Sequence, residues 1–197
     1  MDRLIFLLDR LKKSTDKTNA SCFIPEAWNT TGFDGYTADE KRPGEIRVNP
    51  YGFAVHAIEY CIKNGGHIKA VNTEKDLAGC TIYSMFPRFF TAWKHGDSGV
   101  LSPGTFLKAI CLLPMLKKLN VDIVYLLPVF QSSRRYKKGD LGSPYSIKNV
   151  YKIDRTLHDG LLGQFSDEVI SAEFGAFVEA CHLMGMRVML DFAFRTV

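Results

Sequence analysis

One apolar segment limits the possible folds of this chain more than any other feature. Residues Val121–Val129 read Val-Asp-Ile-Val-Tyr-Leu-Leu-Pro-Val, and Asp122 is the single charged residue among them. A strand with such an uninterrupted apolar run is typical of a parallel sheet that is covered on both faces. The segment therefore predicts a buried strand of an α/β fold.

Strands and helices are predicted to alternate on both sides of this segment. A short β-prone run precedes it, and a long polar loop, roughly residues 131–170, follows it. The predicted elements of this part are a strand at Thr81–Phe86, a helix at Thr105–Leu119 with a kink at Pro114, a helix capped by Ser171, and a strand at Arg187–Phe192. The order β–α–β–loop–α–β predicts a parallel α/β sheet, either a barrel or a doubly wound sheet. A loop of this length at a strand's carboxyl end is where either architecture places a binding site.

The first part of the chain follows a different pattern. Residues 2–13 carry leucines at helical spacing, and the following residues up to 48 read as an irregular loop. Asn49 suits the N-cap of a second helix, because Pro50 then occupies its first position. We therefore predict a small, mostly helical N-terminal segment at residues 1–75 and an α/β unit at residues 76–197.

Composition excludes some classes of function. A net charge of +4 and 46% apolar residues describe an ordinary soluble globular protein. No basic stripe with interleaved aromatic residues indicates a nucleic-acid partner. The densest positive cluster is Arg134, Arg135, Lys137 and Lys138. It is predicted to be either a solvated loop or a contact for an anionic ligand.

Cysteine usage and the N-terminus predict the compartment. The five cysteines are widely spaced and form no CxxC pair, which favours free thiols in a reducing environment. Leu4–Leu8 is too short for a secretory signal, and no apolar stretch reaches membrane-spanning length. We predict a cytoplasmic protein with neither a membrane nor a nucleic acid as partner.

Two segments of the α/β part, Val121–Val129 and Arg187–Phe192, resemble sequences of a known family. They are similar to the second barrel strand, and to the signature region at the end of the third strand, of the α-amylase family of glycoside hydrolases and transglycosylases, glycoside hydrolase family 13. The resemblance covers residues 80–197, and the maltosyltransferase branch is the most similar. The motifs that carry the similarity to this branch are Met85–Arg88, Lys137–Asp140, Gly142–Tyr145, Leu157–Asp159, Phe177–His182 and Asp191–Thr196.

The resemblance implies a fold and an activity. Residues 76–197 would be the N-terminal part of a (β/α)8 TIM barrel, about three strands of eight, so the chain would be an N-terminal fragment. The implied function is that of an α-glucan-active transglycosylase of the maltosyltransferase type, acting in carbohydrate metabolism by a retaining double displacement. The alternatives are an α-amylase-type hydrolase and a non-catalytic glucan-binding remnant. No catalytic residue is expected in this chain, because the family's catalytic carboxylates would lie beyond residue 197, and no metal or cofactor is expected.

The resemblance also implies which residues bind substrate. Tyr145 would stack on a sugar ring, and Asp191 would orient neighbouring groups at the barrel mouth. Arg195 and Thr196 stand where the family usually has asparagine and histidine. This difference favours a transferase over simple starch hydrolysis, since an arginine can pair with phosphate or carboxylate. Arg195, and similarly Arg88, would contact an anion, so the expected ligands are a maltodextrin or α-1,4-glucan, with a phosphorylated sugar or phosphate as a further candidate.

Overall fold

Three sheets and their helices are seen in the computed structural model of the protein, which describes residues 1–14, 20–66, 77–96, 99–135, 137 and 139–194. The helices in these ranges are α1 (Asp2–Lys13), α2 (Pro50–Lys63), α3 (Pro87–Phe90), α4 (Phe106–Lys118) and α5 (Asp167–Leu183). The strands are β1 (Cys22–Pro25), β2 (Tyr36–Ala38), β3 (Glu45–Val48), β4 (Ile82–Met85), β5 (Trp93–His95), β6 (Val100–Ser102), β7 (Ile123–Leu126), β8 (Phe130–Ser132), β9 (Ile147–Ile153) and β10 (Arg187–Leu190).

A parallel sheet of three strands forms the centre of the second part. Its order is β10–β7–β4, so the three strands of this sheet lie side by side in the order in which they occur along the chain. Helix α4 connects β4 to β7, and α5 lies between β7 and β10. Both pairings are in register, since Ile123 lies opposite Ile82 and Arg187, and Leu126 lies opposite Met85 and Leu190. The prediction of an α/β fold with parallel strands is therefore confirmed.

The two faces of this sheet differ in burial. Side chains alternate between faces along a strand, so Met85 and Leu126 share one face. Both are fully buried in the core that includes α4 and α5. The opposite face carries Ile82 and Met189, whose residues are 53% and 40% exposed. Within the described ranges, helices thus cover one face of the sheet, and the other face is accessible at its outer strands, while Ile123 on the central strand is buried.

The N-terminal helices form a further layer outside α4 and α5. Helix α1 packs on α5, and α2 packs on α4 and on α1. Leu4, Leu7 and Leu11 of α1 are fully buried and belong to the same core as the parallel sheet. The predicted boundary between residues 75 and 76 lies outside the described residues, so the division into two domains stays a prediction.

The structure corrects the expected irregular loop before residue 49. This segment contains β1, β2 and β3, which join β5 and β6 in an antiparallel sheet of order β2–β3–β1–β5–β6. The strands are three or four residues long, and β1 finds one of its partners some 70 residues further along. Strands this short depend on neighbours for stability, so local sequence could not predict them. The N-terminal segment is consequently less helical than predicted.

Helix ends show where the sequence rules succeeded and where they failed. The side chain of Asn49 accepts a hydrogen bond from the backbone N–H of Gly52 at 3.1 Å, as predicted for an N-cap. Ser166, and not Ser171, caps α5 by accepting from the N–H of Val169 at 3.1 Å. Asp167 and Glu168 then fall in the first turn, where their negative charge is favourable. Helix α4 continues through Pro114. None of the helices in the described ranges has the length and hydropathy of a membrane crossing.

Candidate functional site

A hydrogen bond at the carboxyl end of the parallel strands joins two of the predicted site residues. Asp191 directly follows β10, and its backbone N–H donates to the carbonyl oxygen of Leu126 at 2.9 Å. Tyr145 lies in the long loop between β8 and β9, and its hydroxyl donates to Asp191 Oδ2 at 2.6 Å. Tyr145 remains 48% exposed. The carboxylate therefore holds the phenol in place while the residue stays open to a ligand.

The Asp191 carboxylate also fixes the protonation state of its neighbours. Its hydrogen bond raises the pKa of the Tyr145 phenol to about 12, because a phenolate beside a carboxylate is disfavoured. The pKa of Tyr125, on β7, is raised as well, and hydrogen bonding with Asp191 is the main cause. Tyr145 is thus a neutral hydroxyl at physiological pH, suited to positioning and stacking and not to nucleophilic attack.

Aromatic rings lie next to this pair in the sequence. Phe192 follows Asp191 directly, is half-exposed, and packs with its ring centroid 4.6 Å from that of Phe130. Phe194, two residues further, is almost fully exposed. Ligand sites usually combine apolar and aromatic surface with a few fixed polar groups. The end of β10 provides this combination.

Arg88 lies at a different point from the Tyr145–Asp191 pair. It belongs to α3, is only 6% exposed, and its Nη1 donates to the carbonyl oxygen of Leu141 at 2.7 Å. Its guanidinium carbon is 5.1 Å from the centre of the Phe86 ring. Burial lowers the pKa of Arg88, and the charge of Asp154 partly opposes this shift. Arg88 therefore supports the loop that carries Tyr145, and its predicted contact with a ligand stays a prediction.

Arg195 and Thr196 lie outside the described residues, so the predicted anion contact of Arg195 stays a prediction. No group of three or more possible metal ligands occurs within the described ranges. No disulfide bond joins any of the five cysteines, which are Cys22, Cys61, Cys80, Cys111 and Cys181.

His158, a residue type that suggests catalysis, has a structural role here. Its Nδ1 lies 2.5 Å from Glu173 Oε1, and its Nε2 lies 3.0 Å from the carbonyl oxygen of Gly163. Glu173 is fully buried, and its Oε2 accepts from the N–H of Asp159 at 3.0 Å. The pair therefore anchors residues 158–163 to α5. Sequence reasoning missed Glu173, because nothing distinguishes a buried helix glutamate from a surface one in a single sequence.

A cavity of about 330 Å³ lies beside this anchor and is lined by Trp93, Lys108 and Asp159, among others. The Lys108 ammonium donates to Ser102 Oγ and to the Pro103 carbonyl oxygen, both at 2.7 Å. Burial lowers the pKa of Lys108 to about 8, against the opposing effect of Asp159. Asp159 accepts from Thr105 Oγ1 at 2.6 Å and from the N–H of Leu161 at 3.0 Å. These groups already bond to the protein, so they indicate a structural role.

Comparison with known proteins gives sequence relatives. The chain is 34% identical over 121 residues to the alpha-1,4-glucan:maltose-1-phosphate maltosyltransferase of Mycobacterium tuberculosis, covering 56% of the chain and 16% of that protein. It is 31% identical over 142 residues to the enzyme of the same name from Mycolicibacterium smegmatis, covering 65% of the chain and 19% of that protein. It is 33% identical over 127 residues to the chloroplastic isoamylase 1 of Oryza sativa, covering 61% of the chain and 15% of that protein.

The chain therefore spans less than a fifth of the length of these three relatives. No protein-family model matches it. Among solved structures, an alpha-amylase from Lactobacillus plantarum is similar, with a TM-score of 0.45 and 30% identity over 61% of the chain and 24% of that structure's chain. The resemblance predicted from the motifs is confirmed: the chain is similar to maltosyltransferases and to an isoamylase, in agreement with the α-amylase family, glycoside hydrolase family 13.

Proposed function

We propose that the chain is part of an α-glucan-active transglycosylase of the maltosyltransferase type. Two relatives with this activity in their names support the proposal. The observation that carries it is the hydrogen bond between Tyr145 and Asp191 at the carboxyl end of the parallel strands. This is the edge at which barrel enzymes and doubly wound enzymes place their binding sites.

A (β/α)8 barrel is the architecture that we propose for the whole protein. The sheet order β10–β7–β4 and the crossover helices agree with the first three units of such a barrel. In a barrel, the sheet face that carries Ile82 and Met189 would point inward. The present exposure of these apolar residues agrees with that assignment, since parallel sheets are normally covered on both faces.

The proposed reaction needs two carboxyl groups. In a retaining mechanism one carboxylate attacks the anomeric carbon and the other protonates the leaving oxygen, at a separation of about 5–5.5 Å. The second group then removes a proton from the acceptor hydroxyl, which attacks the glycosyl intermediate. We place both groups beyond residue 197. The residues described here would contribute to the surface that binds the glucan. Tyr145 would stack on a pyranose ring, and Asp191 would hold the Tyr145 hydroxyl in place.

Substitution of Tyr145 tests this binding role. We expect Tyr145→Ala to weaken maltodextrin binding by about five- to tenfold, because the ring provides the exposed aromatic surface. Tyr145→Phe keeps the ring and is expected to retain most of the affinity. Tyr151→Ala is the matched control, since Tyr151 is 95% exposed and lies on β9, outside the loop that carries Tyr145. Calorimetric titration with maltodextrins measures the effect, and equal affinities for Tyr145→Ala and Tyr151→Ala would contradict the assignment.

Product analysis separates transfer from hydrolysis. Fluorescent maltodextrin is incubated with maltose 1-phosphate and with a protein that includes the sequence encoded after residue 197. We expect products longer by maltose units, because a sugar hydroxyl replaces water as acceptor. Shorter products alone would favour an α-amylase-type hydrolase, the alternative that the similarity to an isoamylase supports. Binding without any product would favour a glucan-binding remnant.

A further inference from the structure

The loop that carries Tyr145 leaves and re-enters the β8–β9 pair where the pairing of these strands is irregular. Gln131 lies opposite Asn149, but the residue before Gln131 lies opposite Ile153. The residues of β9 between these two positions therefore lie outside the regular pairing. Such an irregularity interrupts the ladder of backbone hydrogen bonds. Other contacts must then fix residues 133–146.

Asp154, the residue that follows β9, closes the base of this loop. Its Oδ2 accepts from the N–H of Ser132, at 2.9 Å, and from the Ser132 hydroxyl. Its Oδ1 accepts from the N–H and the hydroxyl of Thr156, at 2.9 Å and 2.7 Å. Its backbone N–H donates to the carbonyl oxygen of Val129 at 2.9 Å. One residue thus joins the chain before the loop to the chain after it.

The environment of Asp154 keeps its carboxyl group ionised. Asp154 is only 6% exposed, and a buried carboxylate is stable only when hydrogen bonds or an opposite charge compensate for the lost water. Burial raises the pKa of Asp154, but the hydrogen bonds from Ser132 and Thr156 outweigh burial and lower it. Both oxygens are therefore acceptors at physiological pH, and the group carries a full negative charge.

This negative charge also supports a second attachment of the loop. The buried Arg88 donates from Nη1 to the carbonyl oxygen of Leu141, inside the loop, at 2.7 Å. Burial disfavours the charged guanidinium, and the charge of Asp154 offsets part of this effect. Without that charge, Arg88 would be less stable in its buried position, and its bond to Leu141 would weaken.

Tyr145 lies between these two attachments. Leu141 precedes it by four residues, and the carbonyl oxygen of the next residue, Ser146, accepts from the N–H of Ser133 at 2.7 Å at the base of the loop. We propose that Asp154 is a positioning residue of the glucan site, which holds the Tyr145 ring in place through the base of the loop and through Arg88. This proposal rests on the function proposed above, in which that ring stacks on the sugar.

Asp154→Asn tests the proposal in the protein that includes the sequence encoded after residue 197. Asparagine keeps one acceptor oxygen, but it replaces the other by an NH2 group and removes the negative charge. We expect maltodextrin affinity in calorimetric titration to fall about threefold, because part of the binding energy must then order the loop. In a Tyr145→Ala background the same substitution is expected to have no further effect, since it acts through the ring. Equal losses in both backgrounds would overturn the proposal.

Asp159→Asn is the matched control for a general loss of stability. Asp159 is 4% exposed and likewise accepts from a threonine hydroxyl and a backbone N–H, those of Thr105 and Leu161. These partners lie outside residues 133–146, so the control is expected to lose stability in urea denaturation and to keep wild-type maltodextrin affinity. If it weakened binding as much as Asp154→Asn does, the effect would be one of stability and the proposal would be wrong.

Trypsin cleavage reports on the loop without any glucan. Arg134, Arg135 and Lys137 lie in the loop and are exposed, so the enzyme can cut there once the loop opens. We expect cleavage within the loop, located by mass spectrometry, to be about fivefold faster in Asp154→Asn than in wild type, because the lost hydrogen bonds make opening easier. Asp159→Asn is expected to show the wild-type rate at these positions.

The cleavage rates separate a failure of this proposal from a failure of the proposed function. An unchanged rate in Asp154→Asn would overturn the proposal whether or not the protein binds maltodextrin. A faster rate in a protein whose wild type binds no maltodextrin would support the fixing of the loop by Asp154 and contradict the glucan site. Ser132→Ala removes one donor and keeps the charge, so it provides a milder change in the same direction if Asp154→Asn does not fold.

Discussion

The variant Glu173→Ala is expected to unfold with a free energy about 3 kcal/mol lower than that of the wild-type protein. Glu173 is fully buried, and alanine would remove the acceptor for His158 Nδ1 and for the N–H of Asp159. Both donors would then lack their protein partner, and Asp159 is buried. Such uncompensated polar groups cost more than the pair itself contributes.

Urea denaturation measures this effect. Glu168→Ala is the control on the same helix, because Glu168 is exposed in the first turn. The control is expected to cost at most about 1 kcal/mol, through its interaction with the helix dipole. If the two variants lost equal stability, Glu173 would not be the anchor of residues 158–163.

The same pair predicts a dependence of stability on pH. The bond to Glu173 raises the pKa of His158, with burial opposing, and burial raises the pKa of Glu173, with His158 opposing. Both raised values mean that the folded state binds protons more tightly than the unfolded state. The stability from His158 is therefore complete below its unfolded pKa of about 6.5 and is lost as pH rises through the higher folded value.

His158→Gln isolates this contribution. The difference in free energy of unfolding between wild type and variant is expected to be largest near about pH 6 and to shrink by about pH 9. Asp154 acts in the opposite direction: burial raises its pKa, but hydrogen bonds from Ser132 and Thr156 outweigh burial and lower it. The stabilisation from Asp154 is lost as pH falls. The stability of the wild-type protein alone therefore does not isolate the contribution of His158, and the difference from His158→Gln is needed. A constant difference across this range would contradict the assignment.

The parallel sheet was predictable because its strands carry their signal locally. The apolar run around β7 and the alternating helices identified the α/β class without any neighbour. The antiparallel sheet was missed, because β1 is stabilised by β3 and β5 and not by its own four residues. The cap of α5 was predicted at Ser171 and not at Ser166 for a different reason. Each serine stands three residues before an apolar residue, so the local pattern did not distinguish them.

The sequence predicted residues of the candidate site but not the contacts between them. Tyr145 and Asp191 were identified by resemblance to family motifs, but their contact joins residues 46 positions apart and required the structure. Arg88 was expected beside a ligand, and the structure adds its bond to Leu141 and its place in a cavity that Arg134 and Lys137 also line. A basic cluster in a sequence indicates charge, and only the fold shows that Arg134 and Lys137 meet a buried arginine.

Gly104→Ala is expected to destabilise the protein by about 3 kcal/mol, because the main chain there has no room for a methyl group. A Cβ at this position would lie 1.9 Å from the carbonyl oxygen of Pro87 and 2.2 Å from Thr91 Oγ1. The N–H of Gly104 also donates to the carbonyl oxygen of Arg88 at 2.9 Å. The glycine therefore allows the segment before α4 to lie directly against the turn that carries Arg88.

This close approach links stability to the position of Arg88. Relief of the clash requires α3 and the segment before α4 to separate. Arg88 on α3 donates to the carbonyl oxygen of Leu141 in the loop that carries Tyr145, so maltodextrin affinity is expected to fall together with the free energy of unfolding. Gly160→Ala is the control, because a Cβ at Gly160 would meet no atom within 4 Å. Urea denaturation and maltodextrin titration of both variants measure the two effects. A Gly104→Ala protein that matched Gly160→Ala in both measurements would show that α3 tolerates the displacement, and that the position of Arg88 does not depend on this contact.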